Sequence, residues 1–333
     1  VVADFEFTTS NEDVGILRDL SGIAAAAHAV LLAGAAPELL GLDRWTQLEL
    51  TNVPELIPGA AWDALRRSED ARYLGLVMPR VLLREPIDAR TPGHWLGLRE
   101  DGFERHGGGR VWGNAAFALA ARAMQAFHEH RWPVAIRGLE DGRGLVSGLP
   151  EESVGTDAAG RVVKPPVEVC VTESTEKGLI DLGLIPLCRV AGTQQVAFFG
   201  VPSLHQPRVV DDPAVAINLK LSSQLPYMLA ASRVAHYIKV IMRDHVGSFT
   251  NVEAMRRKIS DWLLNYTIND GNATLERQAK YPLREFDVTI REKPGKPGEY
   301  EAITQLRPHF QLEDPNVSLR LAIDLPDPDK TRK

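Results

Sequence analysis

Cysteine is nearly absent from this chain. Cys170 and Cys188 are the only two in 333 residues, and each lies in an apolar, strand-like stretch. That excludes a disulfide-stapled secreted scaffold and points to buried thiols in a reducing compartment, the cytoplasm. Long apolar runs are missing as well, none approaching the roughly 20 residues of a membrane span, so membrane insertion is not expected. The longest, Ile23 to Ala36, contains His28 and ends at Pro37; it reads as a buried helix. A secretory leader would need a basic segment ahead of its apolar run, whereas Asp4, Glu6, Glu12 and Asp13 precede this one. Positive charge is in deficit, with 38 Lys and Arg against 44 Asp and Glu and a net charge of -6. The basic residues are also scattered, which excludes the electrostatic footprint of a nucleic-acid binder. An initiating Met is lacking too: Val1 opens directly into the strand-like VVADFEF, as expected of a chain whose upstream residues are not included.

The signatures of common chemistries are equally sparse. There is no GxSxG turn for a nucleophilic serine, and neither cysteine sits at the polar helix start that would activate a thiolate. Phosphate cradles of the form GxxxxGK[ST] or GxGxxG do not occur; Gly107, Gly108 and Gly109 run into Arg110 and Val111 with neither spacing. His128 and His130 are two residues apart, so on a helix they point to different sides and cannot share a metal. None of these patterns marks a catalytic, cofactor-binding or metal-binding residue.

What is present is ordinary globular material: 44% hydrophobic and 25% charged residues, in a chain long enough for more than one packed subregion. Val14, Leu17, Leu20 and Ile23 follow a cap-like Asn11-Glu12-Asp13 at helical spacing, and Ala61 to Ser68 forms a short helix leading into the β-rich RYLGLVMPRVLL. Residues 86 to 110 read as loop. From Asn114 to His130, Ala115, Leu119, Met124 and Phe127 mark a packed helix. PVAIRGL, VEVCVT and QQVAFFG are strand candidates in the middle, with a short helix around Thr175 to Leu182. Residues 214 to 246 are strongly helical, with Pro226 starting a new helix or kinking the old one. Val252 to Tyr266 carries Met255, Ile259, Trp262, Leu263 and Tyr266 on one stripe, and LREFDVTIRE, YEAITQLRPHFQLE and VSLRLAIDLP follow as three strands in a meander. The predicted class is α/β (α+β), with mixed sheets flanked by helices. The predicted regions are 1–110, a mixed middle 111–212, a helix-pair-plus-sheet unit 213–326 and a charged tail 327–333.

A few residues stand out. Trp112, Gly113 and Asn114 form a helix-start junction, since Asn caps well and Gly admits a close strand. Arg233, His236 and Tyr237 share one helix with Lys239 and Arg243; a catalytic base could be imagined there, but without a carboxylate at fixed spacing they read as fasteners of helix packing. Arg284, Glu285 and Asp287 place charge on a strand that would otherwise pair indiscriminately.

Several strings together resemble the large sheath subunit of type VI secretion systems, the TssC/VipB family. They are DFEF, AAAAHA, EDARYLGLVMPRVLLREP, VWGNAAFALAAR, RGLEDGRGLVSGLP, SRVAHYIKVIMRDHVGS and LRPHFQLE, in that order along the whole chain. The last string adds Arg307 and His309 as assembly candidates. Val30 and Leu31 stand where the family usually has Pro and an aromatic, which bears on one local turn. The resemblance implies a C-terminal unit like that of phage tail sheaths and a heterodimer with a small TssB/VipA-like subunit. It further implies stacking with other copies of the chain around an inner tube protein on a baseplate, and an AAA+ ATPase that recycles the contracted polymer. It implies no active site. The family's N-terminal arm, which lends a strand to neighbouring protomers, is missing from these residues, so this stretch is expected not to polymerise by itself. Two other readings remain open at this point: a hydrolase or transferase with its site in the mixed middle, and an adaptor that binds peptides by strand addition.

Overall fold

The computed structural model of the chain describes residues 1–50, 53, 59–85, 87, 110–150, 152–155, 161–244, 252–292, 300–309 and 319–324. Most of the loop expected at 86–110, the turns expected after β-strand candidates near residues 293–298 and 314–316, and the tail 327–333 lie outside the described residues.

The chain opens with strand β1 (Val2–Phe7) and helix α1 (Asn11–Ala27). The cap of α1 is Ser10, one residue before the predicted cluster; its hydroxyl accepts from the Asp13 N–H at 3.1 Å, and Glu12 and Asp13 face the positive end of the helix. Helix α1 ends at Ala27, with His28 in the left-handed region at φ 47°. Leu31–Ala35 then forms strand β2. This overturns the reading of Ile23 to Ala36 as one helix. A strand buried on both faces is as continuously apolar as a buried helix, so periodicity could not separate them. After α2 (Ala60–Arg66) and a 3-10 turn at Glu69–Tyr73 comes β3 (Leu74–Met78).

The short pair β4 (Val81–Leu82) and β5 (Trp112–Gly113) leads into α3 (Ala116–His130). Strand β6 (Leu145–Val146), the hairpin β7 (Glu152–Gly155) and β8 (Arg161–Lys164), α4 (Glu173–Asp181), β9 (Leu184–Pro186), β10 (Cys188–Arg189) and β11 (Val196–Ala197) complete the middle. The strand predictions here fared unevenly. PVAIRGL is no strand, although Val134, Ala135 and Ile136 are buried; VEVCVT makes only isolated bridges at Val167 and Val171; QQVAFFG contributes β11 alone. β-branched burial without a neighbouring ladder does not make a strand. Ala115, at the cap of α3, and Leu119 within it are buried as predicted, but Met124 and Phe127 are exposed and Arg122 is buried instead, 3.5 Å from Glu129.

Strands β1, β2, β3 and β9 form one wholly parallel sheet in that order, so residues on both sides of position 110 share it. Alternation sends Leu31, Ala33, Leu74, Leu76 and Leu184 to one face, against Leu17 of α1 and Trp62 and Leu65 of α2. Leu32, Val77 and Ile185 go to the other, against Leu119 of α3. Covering both faces with helices is what a parallel sheet requires. Strands β10, β11 and β6 form a separate antiparallel sheet.

The C-terminal unit comprises α5 (Pro213–Ser222), α6 (Leu225–Asp244), α7 (Val252–Leu264), α8 (Leu275–Lys280) and the strands β12 (Leu283–Glu292), β13 (Tyr300–Pro308) and β14 (Leu319–Asp324). Pro226 sits in the first turn of α6, where its missing N–H costs nothing. The three strands pair antiparallel in sequence order, as the sequence predicts. Val234 and Ile238 of α6 and Ile259 and Leu263 of α7 are fully buried against Leu283, Val288, Ala302 and Leu306 of the sheet. Each such side chain contributes about 1.5–3 kcal/mol. Leu225 and Met228, at the start of α6, belong instead to the core behind the parallel sheet. Among the described residues no helix is long and apolar enough to cross a membrane.

Candidate functional site

Among the described residues no three His, Cys, Asp or Glu side chains converge as a metal site. A cavity of about 720 Å³ is lined by Cys170, Cys188, Glu176, Arg189 and Phe199. Burial pushes the pKa of both thiols up, which makes them poor nucleophiles. The residues singled out by sequence instead form joints between elements and one exposed sheet margin.

The first joint is at Asn114. The helix begins one residue later than predicted, with Ala115 in the cap position. The Asn114 oxygen nevertheless accepts from the Ala116 N–H at 2.8 Å, while its amide nitrogen donates to the Phe5 carbonyl at 3.1 Å and the Ala3 carbonyl at 3.4 Å. One side chain thus serves a helix start and an edge strand together. The chain must pass close here: a Cβ on Gly113 would lie 2.4 Å from Leu83 Cδ2, and one on Gly34 would lie 3.0 Å from Asn114 Nδ2. Trp112 lies in β5, paired with Leu82.

The second joint lies on α6. His236 Nε2 donates to the Ala27 carbonyl at 2.7 Å, at the C-terminal end of α1, and its ring meets that of His28 edge-on at 6.5 Å. His28 Nδ1 is in turn 3.3 Å from Tyr73 Oη, a phenol whose pKa burial raises. Arg233 lies over three rings, those of Trp132, Phe127 and Tyr237, at 4.6, 4.7 and 5.3 Å, and its Nη1 donates to the Arg131 carbonyl at 2.5 Å. Tyr237 stacks on Trp262 at 5.3 Å, Trp262 meets Tyr266 edge-on at 5.1 Å, and Tyr266 meets Trp132 edge-on at 5.2 Å. The contacts close into a circuit through the end of α3, α6 and α7. Sequence reading found Arg233 and Tyr237 but not their ring partners, because Trp132 reaches Arg233 and Trp262 reaches Tyr237 only through tertiary packing.

A third joint was not foreseen. Arg80, just past β3, donates from Nε and Nη2 to the two carboxylate oxygens of Glu6 at 2.7 and 2.6 Å, and its Nη1 is 3.7 Å from Glu168. Hydrogen bonding to Glu6 raises the Arg80 pKa; burial raises that of Glu168, with Arg80 opposing and Glu6 adding to the rise.

At the C-terminal sheet, Glu285 of β12 and Arg307 of β13 are cross-strand partners joined at 2.8 Å. Asp287 sits opposite Gln305 and accepts from the Thr289 hydroxyl at 3.4 Å, while Arg284 Nε is buried without a hydrogen-bond partner among the described residues. His309 Nε2 donates to the Ile268 carbonyl at 2.7 Å, and burial lowers its pKa. Beyond its ladder with β13, β12 has only one isolated bridge, Thr267 to Leu283; β14 has no second neighbour among the described residues. Among the described residues, both margins of this sheet therefore present backbone groups that could take another strand.

The family model described as EvpB/VC_A0108, tail sheath N-terminal domain, matches residues 1–205, and that described as the tail sheath gpW/gp25-like domain matches residues 214–325. The type VI secretion system sheath protein TssC1 of Pseudomonas aeruginosa is 38% identical over 332 residues, which is 98% of this chain and 66% of that protein. The chain thus spans just under two thirds of its curated relative. Among solved structures, the helical sheath of the anti-feeding prophage in its contracted state is 12% identical with a TM-score of 0.47, covering 89% of this chain and 64% of that one. The baseplate of the same particle is 12% identical at 0.46, covering 93% and 65%. The sheath tail protein Lin1278 of Listeria innocua is 10% identical at 0.40, covering 95% and 60%.

Proposed function

The chain belongs to the EvpB/VC_A0108 tail-sheath family, and on that premise we propose that it is the large structural subunit of a cytoplasmic type VI secretion sheath. In this reading it pairs with a small TssB/VipA-like subunit and stacks with its own copies around an inner tube on a baseplate. Contraction propels the tube, and an AAA+ ATPase recycles the spent polymer. The work comes from two packings of one polymer that differ in free energy, so no cofactor or active site is needed.

The observation that carries the reading is the three-stranded sheet β12-β13-β14, open at both margins among the described residues and backed by α6 and α7. Backbone groups along β12 and β14 supply affinity for an added strand, while Arg284, Glu285, Asp287 and Arg307 select its register and partner. Trp112, Asn114, Arg233, His236, Tyr237 and His309 are proposed to act as fasteners that make the subunit rigid enough to transmit force. The hydrolase or transferase alternative gains nothing from the cavity beside Cys170 and Cys188, whose thiols are held protonated.

Co-expression of the full-length protein with its small partner, followed by negative-stain imaging, tests the reading. Hollow tubes should form, and deletion of residues 284 to 326 should abolish both tubes and co-purification. Tubes from the deleted protein would refute it, as would a protein that binds peptides but never assembles, the behaviour of a strand-addition adaptor.

A further inference from the structure

A second feature suited to contact between copies lies away from the sheet margins. Arg67, Arg72, His205, Arg208, Val209 and Leu219 surround an open cavity of about 340 Å³. Glu69 holds Arg72 Nη2 at 2.7 Å, and His205 Nδ1 is 2.8 Å from the Ser68 carbonyl, so those two groups are fixed in the wall. The side chains of Arg67 and Arg208 make no ion pair or hydrogen bond among the described residues, and both are exposed. Val209, 98% exposed, and Leu219 give the basic mouth an apolar lining. An acidic surface with interspersed aliphatic groups would fit it, each carboxylate meeting a guanidinium while the aliphatic groups cover Val209.

The same chain carries such a surface. Glu12, Ile16, Asp19 and Ile23 follow one another on α1 at spacings of four, three and four, which places them on one face of the helix. All four are exposed, with Ile16 at 44% and Ile23 at 65%. Neither Glu12 nor Asp19 has an ion-pair partner among the described residues. The opposite face of α1, through Val14, Leu17, Ser21 and Ala24, is the buried one, and α1 packs against the 3-10 turn at Glu69–Tyr73 that helps to line the cavity. The acidic face is thus turned away from the cavity of its own chain and can reach only that of another.

We propose that the cavity at Arg67 and Arg208 receives the Glu12–Ile23 face of α1 from a second copy of the chain. Because the two patches differ, the contact is head-to-tail: each copy that donates its helix keeps an empty cavity for the next, which generates rings or helical arrays instead of closed dimers. The inference rests on the reading of the chain as a self-assembling subunit and adds a specific lateral contact to it.

A cross-link between copies tests it. In full-length protein co-expressed with its small partner, the pair V209C and I16C should give a ladder of disulfide-linked species on mild oxidation. The exposed double substitution R67E/R208E should reduce the ladder about tenfold or more, and adding E12K/D19K to the same chain should restore it. Tubes without a ladder, a ladder indifferent to R67E/R208E, failure of the charge swap to restore it, or cross-linking to the small partner instead would each overturn the contact and leave the sheath reading standing. A ladder from short oligomers that never become tubes would uphold the contact and sink the sheath reading. A chain that stays monomeric beside its partner would overturn both.

Discussion

His236 on α6 donates a hydrogen bond to the carbonyl of Ala27, 209 residues earlier, and so ties the C-terminal helix pair to the end of α1. The Ala27 carbonyl lies in the last turn of a 17-residue helix, where a donor is favoured by the unpaired carbonyls and by the helix dipole. Because His236 is exposed, its removal should be modest in effect: His236→Ala is predicted to cost about 0.5–1 kcal/mol, read as a lower urea midpoint with unchanged slope. An unchanged midpoint would remove the joint from the account.

Arg233 should matter more. Its guanidinium contacts three rings and a carbonyl, so Arg233→Ala is predicted to cost about 2 kcal/mol. Arg233→Lys should recover less than half of that, since an ammonium cannot lie flat on several rings. Full rescue by lysine would show that charge alone suffices.

Asn114→Ala removes a side-chain bond to the start of α3 and frees the Phe5 and Ala3 carbonyls. The expected loss is about 2 kcal/mol, together with faster amide exchange along β1. Stability loss without faster exchange in β1 would assign Asn114 to the helix alone.

Glu168 carries a pH signature. Its folded pKa lies above the ordinary carboxylate value, so its ionised form opposes folding. That cost is fully present above the folded pKa and disappears as pH falls below the unfolded one. Glu168→Gln should therefore leave stability equal or higher near neutral pH, the difference vanishing in acid. A variant less stable at neutral pH would mean that the 3.7 Å approach to Arg80 outweighs desolvation.

Much of the C-terminal unit is legible in the sequence because its signals are local. The stripe through Ile259 and Leu263 and the alternation along β12 each repeat within a few residues, and both are seen in the core. The parallel sheet is less legible: Leu31 to Ala35 is buried on both sides and lacks any period that distinguishes a strand from a helix. The joints were half visible. Asn114, Arg233 and His236 stand out by residue type, but their partners Phe5, Trp132 and Ala27 lie 109, 101 and 209 positions away, and nothing local announces such pairings. Met124 and Phe127 point outward because the end of α3 faces Arg233 and solvent in place of a second sheet.

The central claim is that the open margins of the β12-β13-β14 sheet are where assembly takes place. Hydrogen exchange of the backbone amides in residues 283–292 and 319–324, measured on the full-length protein alone and after assembly with its small partner, tests it most directly. The account predicts fast exchange of the outward-facing amides in the free protein and strong protection on assembly, with the inner strand Tyr300–Pro308 protected in both states. Assemblies in which β12 and β14 exchange as fast as before, or a free protein in which both are already protected, would contradict it.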